Sequence, residues 1–444
     1  MKLRIIIAAL ATLGSAVPNT HSQPEEAPAK RAAWPSTPHI TSGRYVRDAT
    51  GTNITYAGTN WPGAADVMIP EGLQYQSIAT IVGKVKSLGM NTIRLTYAIQ
   101  MIDEIYSNGG KDITLQKAFA QALGQANGTK VLNQVLAKNP GFTASTTRLE
   151  VFDAVAAECA KQEIYILLDN HISKGMWCCS EDDGNSWWGD TYFNTANWAR
   201  GLAYMADHVS QPVPVQVSDH PTDPPQGRNW TALTSMSLRN EPREPKGNNK
   251  SSARATYNWQ GWYTFVKQGA EAIHTKNADV LIFLSGLSYD TYLTPVVQGT
   301  ALTPGTGKFS VADFPGYANK LVLELHTYDT SASNCNNMQN NLYKNGFQAL
   351  TTSAANVFPV MLTEFGFQMD ASTWKGVYAS CLATYLPAQK AGWMIWVLAG
   401  SYYIRSGIQD YEEGWGLLNH DWSGWRSPSY VNGALLAMVK NTLS

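Results

Sequence analysis

The sequence has 444 residues, with 33 Lys and Arg against 34 Asp and Glu, for a formal net charge of −1. A hydrophobic fraction of 44% with only 15% charged residues excludes a mainly disordered chain, and the lack of a basic excess argues against electrostatic nucleic-acid binding. The 15 Trp, 21 Tyr and 12 Phe suit both core packing and stacking against flat ligand faces.

The first element is a secretory signal over Met1–Ala16. Lys2 and Arg4 form a basic start, Ile5–Leu13 is an apolar run too short to span a bilayer, and Gly14-Ser15-Ala16 is a small-residue cleavage site. Residues 17–41 read as a linker or pro-segment, rich in Pro, Glu and Ala up to Lys30-Arg31, a dibasic processing site. The mature chain is expected to start at Val17 or Ala32, with everything before Ser42 poorly ordered. Export permits disulfides and N-glycosylation, for which Asn53, Asn127, Asn229 and Asn249 begin candidate sequons. No later run is long enough for a membrane span, so a secreted, monomeric protein is expected.

From residue 42 to 444 a single domain is expected. Apolar runs of strand length recur at Ile54–Asn60, Thr92–Tyr97, Ile164–His171, Leu233–Asn240, Val280–Ser285, Leu321–Tyr328, Pro359–Phe365 and Trp393–Leu398. Amphipathic helical stretches lie between them, at Ile78–Leu88, Leu149–Lys161, Tyr192–His208, Tyr257–Thr275 and Trp374–Ala388. Strands apolar on both sides belong to buried parallel sheets with crossover helices. This pattern predicts an α/β fold, a (β/α)8 TIM barrel with long loops on one face. An open doubly wound sheet is the alternative, but no G-x-G-x-x-G follows the first strand. In a barrel, segments after a strand lie on the catalytic face. Ile172–Asp190 and Ser401–Arg426, both rich in Trp or Tyr, should rim a cleft there, whereas the Pro-rich Ser210–Asn229 should lie on the opposite face. The tail after Arg426 has room for one closing helix.

The strand ends carry an unusual polar set: Arg94, His171, Asn240, Glu241, His326, Tyr328, Glu364 and Trp396. Singly, each has an ordinary explanation, such as a core histidine, a structural ion pair or a helix-start carboxylate. Together they place two glutamates at strand ends on one face of one barrel, where buried carboxylates are costly unless paired or functional. Two such carboxyls suit glycosidic bond cleavage, one protonated to donate and one ionised to attack. No metal or cofactor is expected. There is no His-Glu-x-x-His, no metal-ligand spacing among the eight histidines, no Gly-x-Ser-x-Gly elbow and no Gly-Lys-Ser/Thr phosphate loop.

Leu238-Arg239-Asn240-Glu241-Pro242 and Leu362-Thr363-Glu364-Phe365-Gly366 resemble the two signatures of glycoside hydrolase family 5, the cellulase family of retaining glycosidases. Asp169-Asn170-His171, Trp177-Cys178-Cys179, Asp183-Gly184-Asn185, Trp188-Gly189-Asp190, Trp415-Gly416-Leu417-Leu418-Asn419 and Asp421-Trp422-Ser423 resemble plant and fungal cellulase-like members. The resemblance implies Glu241 as general acid/base and Glu364 as nucleophile. It implies Asn240 on a sugar 2-hydroxyl, Tyr328 at the nucleophile, and Arg94 holding Glu364 ionised. His171 and His326 would orient groups beside the cut, and Trp396 would be a stacking floor. The implied partner is a polysaccharide or oligosaccharide, with a β-1,4-glucan first. Mannan, other β-glucans, galactan, glycolipid glucosides and a non-catalytic carbohydrate-binding or elicitor role remain alternatives.

The five cysteines divide by position. Cys159 precedes the third run and Cys178 and Cys179 follow it. An eight-residue strand spans ~26 Å and a disulfide needs Cα atoms within ~7 Å, so Cys159 is expected to be a buried free thiol. Cys335 and Cys381, near two adjacent helices, form the preferred bridge. A bond between the adjacent Cys178 and Cys179 would be strained.

Overall fold

The computed structural model describes residues 34–210, 229–247 and 251–444. The expected signal and dibasic site, nearly all of Ser210–Asn229 and the sequon at Asn249 lie outside the described residues. Among the other sequons, Asn53, Asn127 and Asn229 are exposed.

Each of the eight apolar runs contributes one parallel strand to a closed barrel. The strands are β1 (Ala57–Trp61), β2 (Thr92–Ala98), β3 (Tyr165–Ile172) and β4 (Leu233–Ser237). They continue as β5 (Leu281–Ser285), β6 (Leu321–Thr327), β7 (Val360–Phe365) and β8 (Trp393–Ile395). The barrel closes where β8 pairs with β1, Trp393 opposite Ala57. Every residue of these strands is buried, which is why their patterns are continuous rather than alternating.

Alternation survives inside the barrel as a change of chemistry along its axis. Leu167, Leu281, Phe283, Val322, Met361 and Met394 fill the lower interior. Two residues further along β3 and β6, the same face presents Asp169 and Glu324. The interior is therefore apolar at the strand starts and charged at the strand ends.

The expected helices form at Ile78–Ser87, Arg148–Lys161, Thr195–Ser210, Trp259–His274 and Val377–Gln389. The β2–β3 connection holds three further helices, Ile99–Ser107, Leu115–Leu123 and Gln125–Lys138. After Arg426 the chain is helical from Pro428 to Leu443, with a π-helical turn at Val431–Leu435. No helix of the described residues is long and apolar enough to cross a membrane.

The packed body begins before Ser42, contrary to expectation. Ile40–Ser42, Tyr45–Arg47 and Asn53–Ile54 form a small antiparallel sheet. Trp34 stacks on Tyr165 at 5.6 Å, His39 Nδ1 lies 2.8 Å from the Tyr56 hydroxyl, and Lys320 Nζ donates to the His39 carbonyl at 2.8 Å. Tyr56, Tyr165 and Lys320 sit at the starts of β1, β3 and β6, so this segment plugs the barrel end opposite the charged interior. Its few apolar residues lack periodicity because they dock singly.

Cys159 is a buried free thiol and Cys335–Cys381 joins two helices, as expected. Cys178 and Cys179 are also bonded to each other.

Candidate active site

All eight predicted residues converge at the carboxyl ends of the strands. His171, Asn240, Glu241, Tyr328, Glu364 and Trp396 line a cleft of about 440 Å³, and Arg94 and His326 lie fully buried beside it. The expected rim loops supply Trp177, Cys178, Cys179, Arg405, Glu413 and Trp415.

Glu364 stands at the end of β7, where the register to β6 shifts between Leu362 and Glu364. Such an irregularity re-aims a side chain. One carboxylate oxygen takes Arg94 Nη1 at 2.5 Å and the other the Tyr328 hydroxyl at 2.8 Å. Arg94 is the hub of a buried network. Its Nη1 also reaches Asn60 Oδ1 at 3.0 Å, and its Nη2 reaches Asn240 Oδ1 at 2.8 Å and Asp169 Oδ1 at 3.0 Å. Burial pushes Asp169 up, but Arg94 and the hydrogen bond from His171 outweigh it and hold the carboxyl below the usual range.

Glu241 follows β4 in a left-handed conformation, φ 48°, a strained state for a residue with a Cβ. Its amide donates to Asp290 Oδ2 at 2.9 Å, which fixes the turn. Burial pushes the Glu241 carboxyl up against the pull of Arg243, His171 and Arg94. Its Oε1 lies 3.1 Å from His326 Nδ1, while His326 Nε2 contacts Thr363 Oγ1 at 3.1 Å. Burial lowers His326 to about 3, so its ring is neutral at ordinary pH. One oxygen of Glu241 and one of Glu364 lie within 4.8 Å of each other. His171 stacks parallel to Trp396, with ring centroids 5.4 Å apart.

The two carboxyls therefore occupy different environments. Glu364 is held by a cation and a phenol; Glu241 is desolvated beside a neutral imidazole. That division suits the two groups to different roles, with Glu241 the one placed to carry a proton.

Sequence reasoning missed Asn60, Asp169, Asp290 and Glu324 as supports. Asp169 had a visible signal, since Asp169-Asn170-His171 stood out as a motif. Burial pushes both Asp290 and Glu324 up; the Glu324 charge adds to the rise at Asp290, and Asp169 adds to it at Glu324 against the pull of Arg94 and of a 2.6 Å hydrogen bond from Ser237 Oγ.

Two carboxyls in different environments at the strand ends of a barrel suit glycosidic bond cleavage. Residues 234–401 match the model of the cellulase family, glycosyl hydrolase family 5. A "glycosyl hydrolase 5 family protein" of Chamaecyparis obtusa is 32% identical over 415 residues, covering 89% of this chain. The chain spans 65% of that relative's length. An endoglucanase of Paenibacillus polymyxa is 22% identical over 401 residues, covering 87% of this chain and 84% of the relative. In fold, the chain is similar to the catalytic domain of the major endoglucanase of Xanthomonas campestris pv. campestris. That pair has a TM-score of 0.61 and 19% identity, covering 90% of this chain and 99% of the other. An endocellulase of Pyrococcus horikoshii in complex with cellotetraose gives 0.63 at 16% identity, covering 92% and 99%.

Proposed function

We propose that the protein is a secreted retaining β-glycosidase, acting as an endo-β-1,4-glucanase. The observation that carries this reading is the Glu241–Glu364 pair, with carboxylate oxygens within 4.8 Å of each other. Close spacing suits direct attack by one carboxylate, whereas inverting pairs stand ~6.5–9.5 Å apart to admit a water. The endoglucanase and endocellulase names of the relatives support a glucan substrate. Lys2, Arg4 and the apolar run Ile5–Leu13 support export.

In the first step Glu364 attacks the anomeric carbon while the protonated Glu241 gives its proton to the departing oxygen. The glycosidic bond breaks and an α-linked glycosyl–Glu364 ester forms. In the second step Glu241, now ionised, takes a proton from water as its oxygen attacks the same carbon. This releases a β-configured sugar and restores both groups. Arg94 and Tyr328 hold the nucleophile's two oxygens. Asn240, fixed through Oδ1 by Arg94, turns its amide nitrogen toward the cleft, where it would donate to the sugar 2-hydroxyl. Trp396 would support a sugar ring, and His171 and His326 would hold their neighbours in place.

The test is the stereochemistry of azide rescue. Glu241→Ala should retain first-step activity on an activated aryl β-glycoside, and azide should accelerate turnover to a β-glycosyl azide. Glu364→Ala with azide should give the α-azide, because the anion takes the nucleophile's place. Inversion by the unmodified protein, or the same azide anomer from both variants, would refute the assignment.

A further inference from the structure

The Cys178–Cys179 disulfide forms part of the cleft wall, yet no step above uses it. Both sulfurs lie within 4.8 Å of a Glu241 carboxylate oxygen. They also stand 3.8 and 3.6 Å from Asn240 Nδ2. A disulfide sulfur carries no hydrogen and is a weak acceptor. It therefore adds no titratable group beside the acid/base, and Asn240 Nδ2 donates to the two sulfurs only through long, weak bonds that a ligand oxygen would displace.

From this placement we infer that the bonded pair is a positioning element for catalysis, an aprotic wall that keeps Glu241 protonated and Asn240 facing the substrate. The inference rests on the glycosidase reading. A dithiol that enters the cleft supplies two electrons and two protons. The S–S bond breaks, two cysteine thiols form, and the reductant leaves as its cyclic disulfide. The thiols place two S–H donors near the Glu241 carboxylate. Donation to the ionised form favours that form, so Glu241 loses its proton at lower pH and protonates the leaving group less well.

The effect should stay local because the loop is anchored without sulfur. Arg239 holds the Ser173 hydroxyl at 3.1 Å and the Asn185 carbonyl at 2.5 Å. Arg243 holds the Ser180 carbonyl at 2.9 Å and pairs with Asp183. Both arginines are fully buried, and they flank Asn240-Glu241-Pro242 in sequence. The loop and the acid/base therefore share one clamp, which persists when the S–S bond opens.

The experiment measures kcat/KM against pH on an aryl β-glycoside for the unmodified protein, before and after dithiothreitol, and again after reoxidation. Reduction should lower kcat/KM about fivefold, the worth of one ordinary hydrogen bond. It should also move the basic limb to lower pH, and reoxidation should restore both. The double variant Cys178→Ser, Cys179→Ser should begin in the low state with its thermal midpoint unchanged. Any dithiol sensitivity left in it reports Cys335–Cys381. The double variant Cys178→Ala, Cys179→Ala brings no donor, so its basic limb should stay with the oxidised protein. A serine pair with an unshifted limb and undiminished kcat/KM, in a protein that is otherwise active, overturns this inference alone. An unmodified protein inactive on every β-glycoside overturns it together with the functional reading.

Discussion

Replacing Arg94 by Met tests whether one cation organises the site. The guanidinium is fully buried and is the hydrogen-bonding and ion-pairing hub for Glu364, Asp169, Asn240 and Asn60. Removing one partner of a buried ion pair costs about 3–5 kcal/mol, and here two carboxylates lose the same partner, so the losses overlap rather than add. The penalty should depend on pH. In the unmodified protein Asp169 is held below the usual range, so its contribution is present above the unfolded pKa of about 3.9 and is lost as pH falls through its folded value. Without Arg94, burial acts against a weaker pull and raises Asp169. The folded carboxyl then binds a proton more readily than the unfolded one. The penalty is greatest near pH 7.5 and shrinks on acidification as the buried charge is neutralised. Urea unfolding of both proteins at pH 7.5 and pH 4.5 reads this directly. An Arg94→Lys variant should recover only part of the loss, because an ammonium lacks the planar fork that serves these partners at once. A penalty below ~1 kcal/mol at pH 7.5, or an equal penalty at both pH values, would refute the hub.

Two further outcomes follow from single contacts. Tyr328→Phe removes a 2.8 Å hydrogen bond to Glu364, of a kind worth about 1.5–3 kcal/mol. Steady-state kinetics on an aryl β-glycoside should therefore show kcat/KM down by about 10–150-fold, and unchanged kinetics would disconnect the phenol from the role proposed for Glu364. His39 is lowered to about 4 by burial, so below pH 6.5 the unfolded chain binds a proton that the folded chain refuses. Stability should fall from pH 6.5 towards 4, and His39→Gln should flatten that slope in thermal melts at pH 7 and pH 5. Parallel slopes in both proteins would place the acid sensitivity elsewhere.

The barrel was legible because parallel strands covered on both sides need continuous apolar runs, and few other segments of the chain have them. The strand ends were legible for a related reason, since charged residues that close such runs stand out. Less visible was everything whose role depends on a neighbour distant in sequence. Glu324 lies inside β6, and only its position two residues beyond the buried Val322 places it in the interior. Asp290 ends a turn in which Ser288, Tyr289 and Asp290 all have positive φ without a glycine to announce it. The run Leu233–Asn240 overshot β4, which ends at Ser237. Leu238 continues the apolar pattern and its amide still bonds the Phe283 carbonyl at 3.2 Å, but its carbonyl accepts from Trp198 Nε1 at 2.9 Å, and Asn240 N bonds to the Asn170 carbonyl at 2.9 Å. Of the helices between β2 and β3, Leu149–Lys161 was expected, whereas Ile99–Ser107, Leu115–Leu123 and Gln125–Lys138 were not. Gln125–Lys138 buries only Gly128, Leu132 and Val135, too narrow a stripe to stand out.

The amino-terminal plug sets a limit on how the chain can be trimmed. Cutting after Arg31 would leave Trp34 free to stack on Tyr165, with His39 and Val46 still seated over the lower interior. Cutting past His39 would remove the residue whose carbonyl receives Lys320 and whose ring meets Tyr56, and would admit water to the apolar floor beneath Leu167 and Phe283. Truncations and purification tags therefore have a narrow tolerance at this end. A boundary moved by a handful of residues separates a sealed vessel from a leaking one, while the cleft lies at the far mouth.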